Sequence, residues 1–169
     1  MKKAVFLDRD GVINVDRSYV YKIEEFTFCE GVFDALIHFQ KLGYLLIIVT
    51  NQSGIARGYY SEEDFQVLTH WMKQALLEKG VIIDAIYHCP HAPKDHCECR
   101  KPKGGMFQEA FKTFEIDPLC SWMIGDKISD IQAANSGGIE NTILIGNEPK
   151  SGAKYSVNFI LATINIIQH

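Results

Sequence analysis

The amino-acid sequence predicts an α/β fold: three layers, with helices on both faces of a mostly parallel sheet. Short continuous apolar runs alternate with segments of helical period, the pattern of strands covered on both sides by crossover helices. Three of those runs lead directly into polar clusters, at Asp8, at Thr50-Asn51-Gln52-Ser53 and at Gly125-Asp126. In open parallel sheets ligands collect at the carboxyl ends of the strands, so clusters far apart in sequence are expected to meet there.

The elements follow in order. Val5-Phe6-Leu7 reads as a short buried strand. A helix over about 31–42 follows, with Val32, Ala35, Leu36 and Phe39 on one stripe and Gly43 as its stop. Tyr44 to Val49 is an uninterrupted apolar run and a strand. Ser61-Glu62-Glu63-Asp64 resembles a capping box. It opens a helix carrying Phe65, Leu68, Met72, Ala75 and Leu76 and ending at Gly80. A strand is predicted near 81–87 and a helix over about 105–114. Strands at 121–124 and 142–145 flank a helix near 129–135, Gly137-Gly138 reads as a loop, and 159–167 reads as a final helix or strand-helix. Trp71 and Phe65 are core positions, and Arg57 is local support. No repeat, low-complexity run or linker divides the chain.

At 169 residues the expectation is one domain, 1–169, with a full core. A net charge of -4 argues against nucleic acid or an anionic membrane surface as a partner, so an anionic ligand needs local cations or a metal. The longest apolar runs, 44–49 and 159–167, fall well short of the ~20 residues of a membrane span. Asp8 and Asp10 cut short the one stretch that begins like a signal peptide. A cytoplasmic monomer is the resulting expectation.

Chemistry concentrates at Asp8-Arg9-Asp10-Gly11. Two carboxylates crowded at a strand end repel each other unless a cation sits between them, and hard oxygen ligands favour Mg²⁺. The five cysteines are an odd number, and Cys89, Cys97 and Cys99 cluster with histidines. That suits a metal site in a reducing compartment better than a disulfide framework. Three thiolates and one imidazole suit tetrahedral Zn²⁺ with no open position, hence a structural ion. On spacing alone His88, His91 and His96 all compete for the fourth position. Cys29 and Cys120, outside the cluster, read as ordinary buried or half-buried thiols.

Asp8-Arg9-Asp10-Gly11, Thr50-Asn51, Arg100-Lys101-Pro102 and Gly125-Asp126-Lys127 with Asp130 together resemble the four ordered motifs of the haloacid dehalogenase superfamily of phosphatases. The wider stretches 8–16, 50–58, 97–101 and 125–134 are similar to the bacterial heptose 1,7-bisphosphate 7-phosphatases. A lone DxD is weak evidence, whereas four motifs in order plus a Cys/His insert are specific. The resemblance implies a Rossmann-like domain without a large cap, carrying a zinc loop at about 88–100. It implies a Mg²⁺-dependent phosphatase that removes the C7 phosphate of a sugar bisphosphate in nucleotide-activated heptose biosynthesis.

The same resemblance assigns roles. Asp8 is the nucleophile, Asp10 the acid and base, and Thr50 and Lys101 stabilise charge on the phosphoryl oxygens. Mg²⁺ is held by Asp8, Asp126 and the Asp10 backbone carbonyl, with Asp130 orienting rather than ligating. Zn²⁺ is held by Cys89, His91, Cys97 and Cys99, a placement that folds the loop carrying Arg100 and Lys101. Substrate contacts fall to Asp16, Arg17, Ser18, Tyr19, Thr50, Asn51, Gln52, Ser53, Arg100, Lys101 and Lys127. The segments between Asn14 and Gly31 and between Gly80 and Gly104 are too short for a large cap, so the site is expected to be open. Two other readings are weighed. One is a histidinol-phosphate phosphatase on the same scaffold; the other is a catalytically dead, zinc-stabilised binding module, which has no need of the intact acids.

Overall fold

Strands and helices alternate along the chain of the computed structural model, which describes residues 1–169. The strands are β1 (Ala4–Leu7), β2 (Leu45–Asn51), β3 (Ala85–Cys89), β4 (Trp122–Gly125), β5 (Asn141–Ile145) and β6 (Tyr155–Val157). The helices are α1 (Val32–Lys41), α2 (Glu62–Glu78), α3 (Gly105–Phe114) and α4 (Ile128–Gly137). The sheet order is β3-β2-β1-β4-β5-β6, and every neighbouring pair is parallel.

Alternation along each strand divides the interior into two cores. Val5 and Leu7 of β1, with Leu46 and Ile48 of β2, meet Val32, Ala35, Leu36 and Phe39 of α1 and Leu68, Met72 and Leu76 of α2. Ala4, Phe6, Ile47 and Val49 point the other way, toward Phe107 and Ala110 of α3 and Ala133 and Ala134 of α4. The stripes of α1 and α2 are those the sequence predicts. The expected capping box of α2 is present, with the Ser61 hydroxyl accepting from the Asp64 N–H at 3.0 Å and the Asp64 carboxylate accepting from the Ser61 N–H at 2.9 Å.

From β1 the chain winds outward through β2 and β3, then returns across the sheet and winds the opposite way through β4, β5 and β6. The reversal falls between β1 and β4, where a crevice forms beyond the strand ends. Asp8 leaves β1 and Asp126 leaves β4 at that place.

Four details differ from expectation. The third strand begins at Ala85 rather than near residue 81, because the Asp84 carboxylate takes the Leu46 N–H at 2.8 Å and so occupies a ladder position. Gly137-Gly138 is a helix end instead of a loop. Gly137 closes α4 against Phe107, where a Cβ would stand 3.0 Å from the Phe107 Cβ, and Gly138 turns left-handed at φ +99. The C-terminal segment is a 3-10 turn at Ile160–Asn165 preceded by the short strand β6, whose three residues carry no readable period. Cys120 is exposed, while Cys29 is half-buried. No helix is long and apolar enough to cross a membrane.

Candidate active site

At the switch point a cleft of about 550 Å³ opens beyond the strand ends. Asp8 lies at its floor, directly past β1, and is buried. The Lys101 ammonium is buried beside it and donates to Asp8 Oδ1 at 2.9 Å and to the Val49 carbonyl at 2.8 Å. It also pairs with Asp130 Oδ1 at 2.7 Å. Burial pushes the Asp8 carboxyl well above its usual range, and Asp130 adds to the rise while Lys101 opposes it. Burial alone favours a neutral Lys101, but Asp130 and Asp8 outweigh it and raise its pKa, so the ammonium keeps its charge. Asn51 pins the Lys101 backbone from both sides, accepting its N–H at 3.0 Å and donating to its carbonyl at 3.2 Å.

Asp10 is held by a set of donors. The buried Arg9 guanidinium donates to both its oxygens, at 3.1 and 3.2 Å, and anchors itself on the Val20 carbonyl at 2.7 Å. Asn14 Nδ2 adds a bond at 3.0 Å and Gln52 Nε2 one at 3.4 Å. Thr50 is fully buried and is not part of the cleft lining; its hydroxyl accepts from Gln52 Nε2 at 2.9 Å.

Asp126 approaches from β4. Its ligand oxygen, one of Asp8 and one of Asp130 lie within 4.8 Å of one another. Asp130 is already committed, accepting the N–H groups of Asp126 and Lys127 at 3.1 Å each besides the Lys101 pair. Asp126 Oδ1, by contrast, is buried with no hydrogen-bond partner. Burial raises the Asp126 carboxyl, Lys127 opposing and Asp130 reinforcing the rise. An orphaned carboxylate oxygen beside a second desolvated carboxylate fits a hard divalent cation. Gly11 leaves room for that arrangement. It sits at φ +90, and a Cβ there would stand 2.1 Å from Asp126 Oδ2.

Around the cleft stand Asp16, Ser18, Tyr19, Asn51, Gln52, Ser53, Arg100 and Lys127, all expected from the sequence. Lys127 spans to Asp16 at 3.4 Å. Arg17 is not among the lining residues; its guanidinium donates to the Glu25 carbonyl at 3.1 Å and borders an adjoining pocket. Sequence reasoning missed Tyr60 and Ser129 in the lining, and the supports Arg9 and Asn14. The only sequence signal for Arg9 is its place between two carboxylates.

Beside the cleft, Cys89 Sγ lies 3.5 Å from His91 Nδ1 and 3.5 Å from Cys97 Sγ, and His91 Nδ1 lies 3.3 Å from Cys99 Sγ. Sulfurs at that distance are too far apart for a disulfide of about 2.05 Å. They approach the edges, about 3.8 Å, of a tetrahedron with ~2.3 Å metal–sulfur bonds. Burial pushes the Cys89 and Cys99 thiols up. Burial also acts to raise Cys97, but the Arg100 N–H and the neighbouring donors bring it down to about 7. Of the three competing histidines the structure brings His91 to the sulfurs, so this cluster could hold a metal. Arg100 leaves the cluster with its guanidinium on the His91 carbonyl at 3.4 Å.

A family profile described as HAD-hydrolase-like matches residues 98–156. The chain is 54% identical over 151 residues to a D-glycero-β-D-manno-heptose-1,7-bisphosphate 7-phosphatase of Haemophilus ducreyi, covering 85% of this chain and 83% of that one. It is 52% identical over 150 residues to a D-glycero-α-D-manno-heptose-1,7-bisphosphate 7-phosphatase of Campylobacter jejuni, covering 89% and 86%. Among solved structures, the D,D-heptose 1,7-bisphosphate phosphatase of B. bronchiseptica, complexed with magnesium and phosphate, superposes with a TM-score of 0.88. That pair shares 29% identity, with 98% of this chain and 97% of that one covered.

Proposed function

This chain belongs to the haloacid dehalogenase-like phosphatases, and from that membership we propose that it hydrolyses the C7 phosphate of D-glycero-D-manno-heptose 1,7-bisphosphate. The observation that carries the chemistry is the meeting of Asp8, Lys101 and Asp130 with the unpartnered Asp126 oxygen at one strand end. The similarity to named heptose bisphosphate phosphatases supports the substrate and favours it over histidinol phosphate.

An Asp8 oxygen forms a bond to phosphorus as the bond from phosphorus to the C7 oxygen breaks. Asp10, starting protonated, gives its proton to that departing oxygen and becomes a carboxylate. It then takes a proton from water, whose oxygen attacks phosphorus and releases Asp8 with inorganic phosphate. Lys101 holds the nucleophile in place and offers positive charge to the phosphoryl oxygens, while Thr50, outside the lining, acts through its bond to Gln52. Asp8, Asp126 and the Asp10 carbonyl are the residues that would hold Mg²⁺, which supplies the charge neutralisation an anion needs to approach another anion. Asp16, Ser18, Tyr19, Gln52, Ser53, Arg100 and Lys127 surround the sugar and its second phosphate, Arg100 offering forked donors. Cys89, His91, Cys97 and Cys99 would hold Zn²⁺ as a structural ion, which would fix the start of the Arg100-Lys101 segment.

Relatives named for either anomer are almost equally similar, so the test carries both. Phosphate release is measured from the α- and β-anomers and from histidinol phosphate, in Mg²⁺ and in EDTA. Turnover of a heptose anomer that EDTA abolishes is expected. Preference for histidinol phosphate overturns the substrate, and no turnover of any ester overturns the enzyme.

A further inference from the structure

We propose that Tyr60 is a positioning residue for Asp10, acting through the carboxamide of Gln52; this rests on the reading of Asp10 as acid and base. Tyr60 is buried, with its ring stacked on Tyr21 at 5.1 Å and 10°. It presses on the backbone at Gly54, where a Cβ would stand 2.1 Å from the ring, so the seat exists only because residue 54 has no side chain. From that seat the Tyr60 hydroxyl donates to Gln52 Oε1. Gln52, buried as well, turns its Nε2 to Thr50 Oγ1 at 2.9 Å and to Asp10 Oδ2 at 3.4 Å.

The two ends of a carboxamide are unlike: the oxygen only accepts and the nitrogen only donates. Asp10 Oδ2 accepts from Gln52 Nε2, and the opposite flip would set the carboxamide oxygen against it. With Nε2 held between Thr50 Oγ1 and Asp10 Oδ2, the Tyr60 hydroxyl donates to the oxygen at the other end and fixes the carboxamide in that place. Arg9 and Asn14 hold Asp10 through other hydrogen bonds, and Gln52 adds a donor from the cleft lining. Removing the Tyr60 hydroxyl frees the amide to turn and loosens the carboxyl that delivers the proton.

The test compares leaving groups. An alkyl phosphate needs a proton on its departing oxygen, whereas p-nitrophenyl phosphate releases a stable phenolate without one. Tyr60→Phe keeps the ring and its stack. It is expected to cut kcat/KM on the sugar ester about tenfold, while the rapid nitrophenolate burst stays within about twofold of wild type. In an Asp10→Asn background the same change is expected to cost nothing further, because the two act as a unit. An equal loss on both esters, no loss on the sugar ester, or additivity with Asp10→Asn overturns the proposal. Thermal unfolding accompanies each variant. Should Tyr60→Phe fail to fold, Tyr60→Met, which also removes the hydroxyl and leaves Gln52 in place, must show the same split or the proposal falls. If wild type hydrolyses some other alkyl phosphate but not the heptose ester, the substrate reading fails, and the comparison on the accepted ester still decides Tyr60. If Asp10→Asn leaves the alkyl ester rate intact, the acid–base reading fails and the proposal with it.

Discussion

Asp8 and Lys101 carry opposite demands within one buried space. Burial and the neighbouring acids push the Asp8 carboxyl well above its usual range against the pull of Lys101, so the native state holds that proton more tightly than the unfolded chain does. Its contribution to stability therefore falls as pH rises from the ordinary carboxylate pKa toward the raised native value. In EDTA, Asp8→Asn is expected to melt above wild type at about pH 8, with the gap narrowing toward about pH 4. A variant that melts below wild type at the higher pH would contradict this. Turnover of the same variant is expected to fall by about a thousandfold or more, since the proposed mechanism draws the attacking oxygen from Asp8. Lys101 shows the reverse case. Lys101→Met leaves two buried carboxylates, Asp8 and Asp130, without the cation they share. Breaking a buried pair from one side costs about 3–5 kcal/mol, read by denaturant unfolding. A loss below about 1 kcal/mol would mean that water replaces the ammonium.

At the scale of elements, the loop over residues 89–99 joins the end of β3 to the segment that delivers Arg100 and Lys101 into the cleft. Cys89 is buried in the second core, and Cys97 and Cys99 pack against its edge. The sheet and helices supply the rest, so the loop can loosen while the sheet stands. One zinc per chain is expected by elemental analysis. Cys97→Ser should lose the metal and most turnover while far-ultraviolet circular dichroism stays close to wild type; full activity without zinc would remove the loop from the mechanism. What could be read from the sequence follows the same division. Asp8, Lys101 and Asp126 are legible because each follows a strand or a cysteine cluster within one or two residues, and α1 and α2 because their stripes repeat. The support around Asp10 is not legible, since Arg9 turns back on its neighbour only once Val20 comes within reach. Tyr60 depends on a glycine six residues earlier and on a stack with Tyr21. Arg17 sits beside true lining residues yet turns to the Glu25 carbonyl, a choice that no spacing encodes.

Across the whole molecule, the site joins two halves that wind in opposite directions from the switch point. Asp8 comes from β1, Asp126 and Asp130 come from the region after β4, and Lys101 comes from the connection that crosses the sheet. A cation held by Asp8 and Asp126 therefore ties the two central strands together at their ends, and its binding energy appears as stability of the entire fold. At a concentration about 100 times its dissociation constant, a ligand of the native state adds about 2.7 kcal/mol. For a chain of this length that corresponds to a rise of about 5–10 °C in the melting temperature. Mg²⁺ is expected to produce that rise in wild type and in Tyr60→Phe, whose hydroxyl lies outside the carboxylate cluster. Asp126→Asn should remove most of it, because the oxygen left without a partner in the protein is the one the cation fits. A rise of the same size in Asp126→Asn would place the stabilising cation elsewhere and return Asp126 to the role of a desolvated acid beside the nucleophile.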